Sequence, residues 1–95
     1  MIRVIARMVV SGERAKEFLA VAEELARITR ENDGPVSYDL VRAIDDPTQF
    51  RMIEVWKDLP TLERHLGSEH FVRLIPQISA LALEAPPAEV FEDVM

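Results

Sequence analysis

Three stretches of this chain read as β-strands, residues 2 to 10, 36 to 44 and 50 to 57, and neither parity across them is mostly charged. In the first, Ile2, Val4, Ala6, Met8 and Val10 oppose Arg3, Ile5, Arg7 and Val9; in the third, Phe50, Met52, Glu54 and Trp56 oppose Arg51, Ile53, Val55 and Lys57. Side chains alternate across a strand, so an antiparallel sheet with one wet face should alternate cleanly from apolar to polar. Here helices can cover one face only. The other needs a second cover, and for 95 residues the simplest is another copy of the chain, sheet against sheet about a two-fold axis.

The stretches between the strands carry helical periods. From Glu13 to about Glu31, Ala15, Phe18, Leu19, Ala22, Leu25, Ala26 and Thr29 repeat at three and four and form one stripe. Asn32-Asp33-Gly34-Pro35 stops that helix, and Asp45-Asp46-Pro47-Thr48 turns the second strand into the third. Asp58 caps a short helix with Pro60 in its first turn and Leu59, Leu62 and Leu66 along it. Gly67 ends it, and Ser68 caps another running towards Leu83, which Pro76 should kink or split. Ala85-Pro86-Pro87 breaks the chain before a last strand from Glu89 to Met95. The order is β-α-β-β-α-β, a ferredoxin-like α+β fold with a four-stranded antiparallel sheet in a single domain spanning residues 1 to 95.

Composition excludes several functions. The net charge of −6 argues against nucleic acid or an anionic membrane as partner. The absence of cysteine rules out thiolate nucleophiles and Cys-based zinc sites and fits a reducing compartment. No leader pattern or membrane-length apolar run occurs, so a cytoplasmic location is expected. None of the three glycines forms the G-x-G of a dinucleotide loop.

Both histidines, the only Trp and an inward-parity Glu fall within seventeen residues. His65 shares a side with Leu62 and is either a pocket base near neutral pH or a surface histidine beside Arg64. His70, in the first turn after Ser68, is favoured as neutral imidazole by the helix dipole and suits a base or, preferably, a hydrogen-bonded packing corner with Phe71. A metal site is not expected: the histidines lie five apart across a Gly-Ser break, and only Glu54 or Glu69 offers a third ligand. Trp56 and Tyr38 are either core or the walls of an aromatic pocket. Glu54, on an apolar face, needs a partner; an ion pair with Arg7 or Arg42 is preferred over a raised pKa that would make it an acid-base group.

A strand ending Glu54-x-Trp56-x-Asp58, a short helix carrying His65 and then Ser68-x-His70-Phe71 resembles the antibiotic biosynthesis monooxygenase family, whose members are dimeric α+β barrels. Gly34-Pro35-Val36-Ser37-Tyr38-Asp39-Leu40 resembles that family's second strand, and the likeness runs over nearly the whole chain. It implies a homodimeric, cofactor-independent monooxygenase that oxidises a quinol, anthrone or similar phenol with O2. His65 would be the base and His70 its support, with Trp56, Tyr38, Arg7, Glu54 and Phe71 around the substrate. Haem-degrading relatives use an Asn on the first strand, a Trp on the third and a His on the last long helix; Trp56 matches, but the only Asn is Asn32 at a helix end and no His follows His70, so tight haem binding is not expected. Relatives that isomerise phosphorylated sugars would want a more basic pocket, and a non-catalytic ligand-binding or stress-response dimer is the remaining alternative.

Overall fold

The computed structural model describes all 95 residues. In chain order they form β1 (Ile2–Val9), α1 (Ala15–Asn32), β2 (Ser37–Arg42), β3 (Gln49–Trp56), α2 (Leu59–Leu66), α3 (Glu69–Leu81) and β4 (Glu89–Glu92). The sheet is antiparallel in the order β2-β3-β1-β4, the ferredoxin-like arrangement expected, with α2 as a short addition before the last long helix.

One parity of the strands faces the helices. Val4, Met8, Tyr38, Phe50, Met52, Glu54 and Trp56 are buried there against Phe18, Ala22 and Leu25 of α1 and Leu74 and Ile78 of α3. Phe18 and Phe50 meet with ring centroids 4.8 Å apart. Each large apolar side chain so buried contributes roughly 1.5–3 kcal/mol. Leu19, on the α1 stripe by spacing, lies at its edge and is largely exposed. On the opposite parity, Val41, Ile53 and Phe91 are exposed, and Ile5, Val9 and Val55 are only partly covered.

Local chemistry fixes the ends of the elements. The Asp58 carboxylate accepts from the Thr61 amide at 2.9 Å and the Ser68 hydroxyl from the Phe71 amide at 3.3 Å, as N-caps of α2 and α3. Gly34 takes φ +66°, the left-handed turn that leaves α1 just after Asp33. α1 starts two residues later than its charge pattern suggested, at Ala15, because residues 12–14 form a turn. The second strand is shorter than residues 36 to 44, and the last ends at Glu92 rather than Met95.

Pro76 does not split α3, which runs unbroken from Glu69 to Leu81. The carbonyl that loses its partner is that of Val72, and both residues lie on the exposed side where water can take the bond. Leu74 and Ile78 hold the other side in the core.

β4 pairs with β1 only from Ile2 to Ile5, and an isolated bridge joins Val9 to Glu84. Between these, Ala6–Met8 of β1 face Ala85-Pro86-Pro87-Ala88, whose prolines have no N–H to continue the ladder. No helix is long and apolar enough to cross a membrane.

Candidate active site

The register of the sheet puts Val4, Glu54 and Tyr38 in one row beneath the helices. Above that row lies a cavity of about 240 Å³. Met8 and Met52 floor it, Phe71, Ile75 and Ile78 of α3 roof it, and Ala85–Ala88 form its rim. Its lining is apolar apart from Arg7, Tyr38, Glu54 and Ser79. A mostly apolar pocket with a few polar groups is what a flat organic ligand needs.

Glu54 is the buried acid of this cavity. Its Oε1 accepts from the Trp56 indole Nε1–H at 3.0 Å, and its other oxygen has no protein partner. Burial pushes its carboxyl up to about 7, and the single indole bond opposes this only in part. The expected ion pair with Arg7 or Arg42 does not form. Arg7 stands on the other parity of β1, exposed and opposite Arg51, and Arg42 pairs with Phe50 at the far end of β3. The partner is instead the neighbour two residues on, which shares the strand face.

His65 is fully buried, so the surface reading of it is ruled out. Its ring packs on Trp56 at 4.8 Å, Phe71 at 4.9 Å and Tyr38 at 5.3 Å between centroids. It does not line the cavity; Tyr38 stands between, its hydroxyl 3.4 Å from His65 Nε2. Trp56 likewise lies behind the wall rather than on it, while Tyr38, Arg7, Glu54 and Phe71 all border the space. Burial lowers the His65 pKa, which favours neutral imidazole, although Asp33 pulls the other way. Burial and then the Glu54 charge push the Tyr38 phenol far above its ordinary range.

Asp33 joins the two histidines. Its Oδ2 accepts from His65 Nδ1 at 2.7 Å and from His70 Nε2 at 2.6 Å, and Ser68 Oγ lies 3.1 Å from the same His70 nitrogen. His70 is therefore the hydrogen-bonded corner that its cap position suggested. Asp33, His65 and His70 offer three metal-ligand atoms within 4.8 Å of one another. Ligands around a tetrahedral zinc stand about 3.3 Å apart, given bonds of 2.0–2.1 Å. The two contacts to a single oxygen are shorter than that and have the length of charge-assisted hydrogen bonds. Neither acid weighed as a third ligand takes part: Glu54 is bonded to Trp56, and Glu69 binds Arg73 at 2.7 Å.

Sequence reasoning missed Asp33, reading it only as part of a helix stop. It is 32 and 37 residues from its partners, and the sole local signal was an acid at the end of a helix, next to the glycine turn that aims it.

Residues 1–77 match the profile of the family described as antibiotic biosynthesis monooxygenase. The chain belongs to that family. It is 33% identical over 77 residues to YcnE of Bacillus subtilis (strain 168), provisionally named a monooxygenase, with 81% of this chain and 80% of that one covered. A solved structure of an antibiotic biosynthesis monooxygenase superposes with a TM-score of 0.89 at 32% identity, covering all of both chains. A conserved protein from Methanosarcina mazei Go1 gives the same TM-score at 28% identity, over 95% of this chain and 89% of that one. In this monooxygenase-family chain, then, the cavity between sheet and α3 holds Glu54 and Tyr38, with the histidine pair one hydrogen bond behind.

Proposed function

We propose that the cavity takes a flat phenolic substrate, a quinol or an anthrone, and promotes its oxidation by O2 without a nucleotide or metal cofactor. The observation that carries this reading is Glu54, a carboxyl on an otherwise apolar wall whose pKa stands at about 7. A group of that kind takes a proton at neutral pH. A phenol so deprotonated is electron-rich enough to pass an electron to O2, and the protein then has only to orient it and exclude water. In this reading Glu54 accepts the proton, and His65, expected as the base, acts through Tyr38 because it does not reach the cavity. Oxygen uptake is the test: a panel of hydroquinones and anthrones, with no cofactor or metal added, should include at least one that is consumed. No uptake across the panel sinks the proposal.

The working unit is proposed to be a dimer. Val41, Ile53 and Phe91 lie exposed on the sheet face that the helices leave bare. A specific association should bury at least ~1,000 Å² there. Light scattering at micromolar concentration should give twice the chain mass, and Ile53→Asp should give the monomer. A monomeric wild type excludes the sheet-on-sheet pairing.

A further inference from the structure

We infer that Asp33 and His65 set Tyr38 as a hydrogen-bond acceptor towards the cavity, so that the site selects the hydroxyl form of its ligand, a quinol, over the carbonyl form, a quinone. This rests on the cavity being the phenol site proposed above. The Asp33 oxygen 2.7 Å from His65 Nδ1 can only accept, so that nitrogen carries the imidazole proton. Neutral His65 then turns the lone pair of Nε2 to Tyr38, 3.4 Å away. Only the phenol hydrogen can make that bond. Tyr38 thus spends its O–H on His65; the buried Thr29 hydroxyl beside it can take one lone pair of the oxygen, and the other remains for a ligand.

Glu54, cross-strand from Tyr38, has one oxygen free of protein partners. Two acceptors therefore border one apolar space. A quinol supplies two O–H donors to them; the quinone of the same size supplies none and leaves both unpaired, which a polar site penalises strongly. Protonated His65 would reverse the arrangement, its Nε2–H donating to the Tyr38 oxygen and freeing the phenol O–H. The groups that set this balance are Asp33 at the end of α1, His70 on α3 and Tyr38 on β2, with Glu54, Thr29 and Arg30 acting on Tyr38.

The test is calorimetric titration under anaerobic conditions at pH 8 with 1,4-naphthohydroquinone and 1,4-naphthoquinone, beside ¹⁵N spectra of the imidazoles. Wild type should prefer the quinol by about tenfold, with His65 protonated on Nδ1. Tyr38→Phe should cut the preference about threefold without moving that proton. Asp33→Asn should move it towards Nε2, as losing the carboxylate partner of a buried histidine does, and lower the preference alike. Equal wild-type affinities, a His65 proton on Nε2, or an undiminished preference in either variant overturns the inference and leaves the phenol site standing. Wild type that binds neither ligand overturns the phenol site, and the selectivity with it.

Discussion

Glu54 and Asp33 are both carboxyl groups drawn into the body of the protein, and they are treated in opposite ways. Asp33 gathers two imidazole donors on one oxygen, in a corner packed with Trp56, Phe71 and Tyr38 around His65. Glu54 receives one indole donor and faces a cavity. The first arrangement satisfies the acid and closes around it. The second leaves an acid under-solvated, so that a proton binds it more readily and folding bears the cost. A satisfied charge builds structure; an unsatisfied one beside open space is available for chemistry.

The contrast breaks most readily at His65. His65→Ala should empty a closed site, leave Tyr38 without its partner and Asp33 with His70 alone, costing about 3–4 kcal/mol in chemical denaturation. A loss below about 1 kcal/mol would mean that the corner is not the closed unit described, and would restore the surface histidine that the sequence left open.

Glu54 should show the reverse. Its folded pKa of about 7 lies above the ordinary 4.5, so the stability it lends is full below pH 4.5 and is lost as pH rises through 7. At 1.36 kcal/mol per pH unit the loss amounts to about 3 kcal/mol. Glu54→Gln should flatten that slope, raise the Tm at pH 8 and lower turnover ~10²-fold or more, the usual loss for a general base. A variant that keeps full activity would remove Glu54 from the chemistry.

The smallest effect sharpens the comparison. Trp56→Phe removes the only side-chain bond that holds the Glu54 pKa down, so the rising limb of the pH–rate profile should move to higher pH. The cost in stability should be about 1–2 kcal/mol. An unmoved limb would mean that Glu54 is not the group titrating.

Much of this was legible in the sequence because it rests on periods. Alternation placed Phe50, Met52, Glu54 and Trp56 on one buried face, and single polar residues, Asp58 and Ser68, marked two helix starts. The Glu54–Trp56 bond was also within reach, since residues two apart on a strand share a side. What could not be read was depth and long-range meeting. Helical spacing put His65 near Leu62 but could not say that three aromatic rings would close over it. Nothing in an Asn-Asp-Gly-Pro turn announces two imidazoles arriving from 32 and 37 residues away.

The family match ends at residue 77, and the cavity does not. Ile78 and Ser79 of α3 and the Ala85–Ala88 rim all come from beyond it, the rim along the one stretch of β1 where the ladder to β4 is broken. The profile thus spans the buried carboxyl of Glu54 and its supports, while Pro86 and Pro87, from beyond it, stand at the rim of the cavity.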